Sequence, residues 1–169
     1  MYHAVILSVA HWDYALSTHD FDALPHSVGT VIEGRPFSLG AEDSKLFHRA
    51  TWLDRAYPDG DVEEFPENIV EGFWLLAMLD AVVRFATGTT NGDAWGLNYG
   101  LDKVRFVSQV HFDDTIIPTF ETIEVVPKDG GYKVLRRCVF RVDGADVPAM
   151  VADWWTYVLP RGTVEMSRR

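Results

Sequence analysis

The sequence predicts an α+β fold in which one long buried helix is wrapped by an antiparallel sheet. From Glu67 to Thr87 the chain reads ENIVEGFWLLAMLDAVVRFAT, where Ile69, Val70, Phe73, Leu76, Ala77, Met78, Ala81, Val82 and Phe85 recur at three- and four-residue steps. That spacing, with almost no polar interruption, predicts a helix buried on most of its circumference. After Trp95 the period changes. Trp95, Leu97, Tyr99 and Leu101, then Val104, Phe106 and Val110, then Thr115–Val126, Tyr132–Val142 and Val147–Leu159 read as alternating strands. Lys128-Asp129-Gly130-Gly131 and Asp143-Gly144 have the composition of tight turns that tolerate positive backbone angles, so successive strands run antiparallel.

The 169 residues, 47% hydrophobic and 24% charged, are enough for a single domain that folds around its own core without disulfides or metals. Cys138 is the one cysteine and lies in a strand-like run, which predicts a small buried hydrophobe and a reducing, cytoplasmic setting. A formal charge of −10 argues against nucleic acid, whose phosphates require Lys and Arg. No run approaches the roughly 20 apolar residues that span a bilayer, so no membrane segment is expected. The opening MYHAVILSVAHW lacks the basic start and small-residue cleavage site of a secretion signal. His3, His11, His19 and His26 have no carboxylate or thiol ligands at zinc spacing, and no metal or cofactor is expected.

In chain order, residues 1–26 form an N-terminal extension too rich in aromatic and aliphatic side chains for a disordered tail. Ser27 to Leu39 reads as a short strand with turns. Ser38 or Gly40 opens a helix with Glu42 and Asp43 in its first turn and Leu46, Phe47 and Ala50 on its inner face. LDRAYPDGDVEEFPEN follows as an acidic loop without regular structure, in which Asp54, Asp59, Asp61, Glu63, Glu64 and Glu67 are candidates for a solvated surface or for catalysis. Pro66 suits a first helical turn and Asn68 is a candidate cap. Gly72 is placed one turn inside the central helix, where glycine costs about 1 kcal/mol against alanine. Either a packed sheet or a ligand carbonyl held by backbone N–H groups must come close to it. GTTNGD, after the helix, reads as a turn.

The residues also resemble a known family. Asn98-Tyr99-Gly100-Leu101-Asp102-Lys103-Val104-Arg105-Phe106-Val107-Ser108, running through Val110 to Asp114-Thr115-Ile116, resembles the segment by which MaoC-like dehydratases, the family of (R)-specific enoyl-thioester hydratases, enter the sheet of a hot-dog fold. Ile69-Val70-Glu71-Gly72-Phe73 with Leu75-Leu76 is similar to the start of that family's central helix, usually written with histidine or proline before the glycine. Val147-Pro148-Ala149-Met150-Val151-Ala152 is similar to its last-strand region, and the resemblance extends over Val28 to Pro160.

The resemblance implies a hot dog paired with a second one across a continuous sheet, and reversible hydration of a 2-enoyl thioester carried by CoA or an acyl-carrier protein. It also implies an aspartate and a histidine in a motif close to D-x-N-P-(I/L)-H, with a backbone N–H from the glycine at the helix start. This chain departs from that motif. Asp54-Arg55-Ala56-Tyr57-Pro58-Asp59 keeps the aspartate but puts Asp59 where histidine is expected, and the residue eight after Gly72, often a small hydroxyl, is Asp80.

The candidate catalytic residues are therefore Asp54, Asp59, Asp80 and His48, with Tyr57, Gly72, Asn98 and Tyr99 as candidate substrate contacts. Asp54 keeps both its type and its place in the aligned motif, and near apolar walls its working pKa would be raised. Three functions fit: a dehydratase or hydratase on a thioester-bound or polyketide-like acyl intermediate; a non-catalytic hot-dog subunit of a heterodimer; or a chamber for a hydrophobic small molecule shaped by Trp74, Trp95, Trp154 and Trp155.

Overall fold

The computed structural model describes residues 21–56, 68–87 and 94–162. Within them five strands form one antiparallel sheet in the order β1-β3-β4-β5-β2. The strands are β1 (Val31–Glu33), β2 (Ala94–Phe106), β3 (Ile116–Lys128), β4 (Gly131–Val142) and β5 (Met150–Pro160), and four helical pieces accompany them: α1 (Ala41–Thr51), α2 (Leu53–Ala56), α3 (Gly72–Ala77) and α4 (Leu79–Thr87). Asp129 and Gly130 take φ of 42° and 78° in the β3–β4 hairpin, the paired positive angles that its Asp-Gly sequence suits.

Period-2 alternation fills the inner face of the sheet. Ile116, Phe120, Cys138, Phe140, Met150, Ala152 and Trp154 are buried there in one cluster with Trp74, Leu75, Leu79, Val82 and Val83 of α3 and α4, and Val134 is buried further along β4. Register breaks between Asn98 and Gly100, between Asp102 and Arg105, and between Thr122 and Glu124 mark bulges, which bend strands and let the sheet curl around the helix. Cys138 is completely buried, and burial pushes its thiol up to about 12, so it acts as a small hydrophobe.

Several sequence expectations need correction. The central helix begins at Gly72, with Glu71 as its N-cap, because Asn68–Val70 is held in an extended bridge instead: Val70 N–H donates to Val110 at 2.8 Å and Phe112 N–H to Asn68 at 2.8 Å. Asn68, at φ 72°, is not the cap, and Gly72 is the first helical residue. The helix is loosened at Met78 and buried on one face only; Phe73 and Phe85 are exposed on the other. On α1, Phe47 packs on the core cluster while Leu46 and Ala50 are exposed, and Leu53–Ala56, expected as loop, forms the single turn α2. Pro66, Glu67, the acids from Asp59 to Glu64, the GTTNGD turn and residues 1–20 lie outside the described residues. The last part of the N-terminal extension is a 3-10 helix, Phe21–Ser27, whose Phe21 ring lies 5.0 Å from that of Tyr132 on the sheet.

The outer face carries a buried carboxylate. Asp153 on β5 accepts from Arg137 of β4 at 3.0 and 3.4 Å and pairs with Lys103 of β2 at 3.0 Å, so it ties three strands together. Lys103, at φ 50° inside a bulge, is bent toward it. Burial alone would raise the Asp153 pKa, but the hydrogen bonds and charges of Arg137 and Lys103 outweigh it and hold the carboxyl below its ordinary value. A depressed folded pKa means the contribution is complete above the unfolded value and fades as pH falls through the folded one. Asp153→Asn is therefore expected to cost about 2 kcal/mol near neutral pH by denaturant titration, with the gap from wild type closing below about pH 4.

Candidate active site

The start of the central helix gathers the polar groups. Phe47 on α1 stacks on Trp74 with ring centroids 5.5 Å apart and planes 11° apart, fixing α1 against α3. His48, the next residue along α1, then reaches Glu71, and its Nε2 meets Glu71 Oε1. The imidazole is 39% exposed and the carboxylate 20%, so the pair sits at the mouth of the interior rather than in open solvent. The other oxygen, Glu71 Oε2, is buried and has no hydrogen-bond partner among the described residues. A buried acceptor left open calls for an explanation, because such groups are nearly always satisfied.

Gly72 follows Glu71 directly. A Cβ there would lie 2.7 to 2.8 Å from the Phe106 ring, so the close approach expected at this glycine is made by the sheet. As the first residue of the helix it has no intrahelical acceptor for its N–H, and Glu71 supplies no side-chain cap. The acid and the imidazole thus pair at the residue just before a helix-start N–H that has no intrahelical acceptor. An imidazole bonded through Nε2 keeps Nδ1 for proton exchange, and the carboxylate fixes its tautomer.

The other sequence candidates are spread out. Asp54 stands on α2 and is exposed, so no apolar wall encloses it among the described residues. Asp80 is on the open face of α4, paired with Arg84 at 2.9 Å; Arg84 also donates to the Gly96 carbonyl at 3.3 Å, which makes the pair a link from helix to β2. Asn98 is exposed on β2. Tyr99, in a bulge, turns its ring to Tyr157 at 6.4 Å and to Lys133 at 5.5 Å on the outer face, away from Gly72. Tyr57 and Asp59 lie outside the described residues. Trp74 and Trp154 are core, while Trp95 is exposed. Glu71 is not among the residues the sequence singles out; its one linear signal is an acid in a position where the resembling family writes histidine or proline.

No protein-family model matches the chain. Nodulation protein N of Rhizobium leguminosarum bv. viciae is 28% identical over 95 residues, 56% of this chain and 59% of that protein, so the match spans about three-fifths of that relative's length. Among solved structures, a monoamine oxidase regulatory protein from Archaeoglobus fulgius superposes with a TM-score of 0.62 at 18% identity, over 79% of this chain and 90% of that one. A MaoC-like dehydratase from Rhodospirillum rubrum gives 0.60 at 12% identity, over 79% and 93%. The chain has the hot-dog fold. A further hot-dog neighbour is the C-terminally truncated HadBC (3R-hydroxyacyl-ACP dehydratase) complex from Mycobacterium tuberculosis, with a TM-score of 0.55 at 16% identity over 78% and 96%.

In this hot dog the helix start depends on the Gly72–Phe106 contact. Gly72→Ala is expected to destabilise the fold by about 1 to 3 kcal/mol through overpacking, and Phe106→Leu in the same chain should recover part of that loss in thermal unfolding. An alanine variant as stable as wild type would show that the ring moves aside freely.

Proposed function

We propose that this hot dog is a hydratase or dehydratase of acyl thioesters in which His48 and Glu71 carry the proton transfer that an Asp/His motif carries in the family it resembles. The observation behind this reading is the buried Glu71 Oε2, open beside His48 and next to the Gly72 N–H. A 2-enoyl thioester with its carbonyl on the Gly72 N–H would place C2 and C3 toward the pair. Water held by Glu71 Oε2 gives up a proton to His48 and its hydroxyl adds to C3. Charge then develops on the thioester oxygen, where the helix N–H stabilises it, and His48 passes the proton it took from water to C2, which completes the addition and restores the neutral imidazole; dehydration is the reverse. Asp54, exposed on the neighbouring turn, is a second candidate acid or base in this reading, as is Asp59 beyond it. CoA or an acyl-carrier protein presents the substrate, in a biosynthetic route of the fatty-acid or polyketide kind, and a cytoplasmic setting accords with the inert Cys138.

A second chain completes the site in this proposal. β2 is a thirteen-residue edge strand of the described sheet that exposes Trp95, Leu97, Tyr99, Leu101 and Phe106, and the exposed Phe73 of the helix packs edge-on against Phe106. A long unprotected edge of this kind invites strand pairing, either with a copy of itself or with another hot dog. Pairing with an intact partner is the form in which this chain would be a supporting subunit, and the exposure of Asp54 together with the departed motif favours keeping that reading. No helix among the described residues is long and apolar enough to cross a membrane.

The test is hydration of trans-2-enoyl-CoA by the full chain, followed by loss of enoyl absorbance, with the mass in solution measured alongside. We expect turnover from a species of twice the 19.1 kDa chain mass. His48→Gln should lower kcat by about two to four orders of magnitude, against about tenfold or less for Asp54→Asn. The reverse ranking would return the chemistry to the aligned motif. A dimer that is inactive alone and active with a second hot dog would assign the supporting role.

A further inference from the structure

Arg136 breaks the apolar alternation of the sheet's inner face. Val134 and Cys138, two residues to either side on β4, are fully buried, and its register partners Thr122 and Trp154 are buried as well. Its neighbour Arg137 points to the outer face and meets the buried Asp153. Arg136 has no such partner: among the described residues its guanidinium makes one side-chain hydrogen bond, to Thr156 Oγ1 at 3.3 Å, and no carboxylate lies within ion-pair distance. Burial pulls its pKa down, the response of a cation taken out of water. Arg136 itself is partly buried, and a guanidinium withdrawn in part from water with no carboxylate beside it is stabilised when an anion meets it there.

We propose that Arg136, with the hydroxyls of Thr122 and Thr156, binds a carboxylate at the far end of the substrate's acyl chain. The proposal rests on the acyl-thioester reading and names the substrate class within it: the half-thioester of a dicarboxylic acid. Position supports this. Gly72 lies against Phe106, which is in register with Met150 and through it with Phe140; Arg136 is four residues further along β4, about 13 Å at the strand rise. Its guanidinium leans on toward Thr156, further still from Gly72. An acyl chain entering at Gly72 and running under the helix along the inner face would therefore bring its last carbon to Arg136. The planar fork of a guanidinium matches a carboxylate, and one cation with two hydroxyls supplies the donors for one monoanion rather than for a phosphate.

Calorimetric binding of saturated thioesters, which cannot be hydrated, separates this claim from the chemistry. The full chain is titrated with hexanoyl-CoA and adipoyl-CoA, and with longer pairs differing only in the terminal carboxylate. At one chain length the half-acid should bind at least about tenfold tighter than its neutral partner, and in Arg136→Gln that ratio should fall to within about threefold. Arg136→Met guards against a folding artefact: without a bound anion, removing a partly buried cation that has no carboxylate partner should leave the thermal midpoint unchanged or raise it. Equal affinity within every pair, a preference that survives in Arg136→Gln, or a clear fall in midpoint for Arg136→Met would overturn the proposal, the last by revealing a counter-charge within the chain. Half-acid preference without turnover of any enoyl thioester would uphold the Arg136 site and sink the hydratase reading instead. Turnover of enoyl thioesters without half-acid preference would do the opposite.

Discussion

The close contact between Gly72 and the Phe106 ring sets the geometry of the whole chain. A side chain at residue 72 would hold the helix off the sheet, whereas glycine lets the helix begin directly on the aromatic ring of β2. The backbone bridge from Asn68–Val70 to Val110–Phe112 delivers the chain to that point in extended form, and helical geometry then turns Trp74, Leu75, Leu79, Val82 and Val83 toward the inner face of the sheet. Glu71 is the residue at the corner between bridge and helix. It falls next to His48 because Phe47 stacks on Trp74, so packing of aromatic rings fixes a polar pair.

Charge is distributed unevenly across the sheet. On the outer face Asp153 is surrounded by Lys103 and Arg137, and its desolvation is offset by two cations whose own tips reach water. On the inner side two groups lack such compensation within the described residues, Glu71 Oε2 at the helix start and Arg136 deeper along β4. One is an acceptor at the helix start and the other a cation on the inner side of the sheet. A structural network settles its charges internally, as Asp153 does; the proposed site rests on these two groups because they are not settled in that way among the described residues.

Much of the architecture was legible because it depends on local period and turn chemistry. Alternation located β2 to β5 to within a few residues, and Asp129-Gly130 named its own hairpin. The helix was found but its start was placed too early, because Ile69 and Val70 fit a helical stripe as well as they fit a bridge, and only the partner strand at Val110 decides between them. The exposed face escapes a sequence reading for a related reason: Phe73 and Phe85 continue the apolar stripe although they are exposed, and period alone does not say which apolar positions meet the sheet. The site was read from a motif that runs through Asp54, whereas the pairing of His48 with Glu71 spans two helices and has no signature in linear spacing. Arg136 was invisible for the opposite reason, since an arginine in an alternating strand reads as a surface residue until its register partners are known.

The central claim is that His48 and Glu71 act as one unit, and a double-mutant cycle on enoyl-thioester hydration tests it most directly. With kcat/KM measured for wild type, His48→Gln, Glu71→Gln and the double variant, the account predicts that the double variant loses little more than His48→Gln alone, since a carboxylate that works through an imidazole has nothing left to act on. Losses that simply multiply would contradict it and show two residues acting independently.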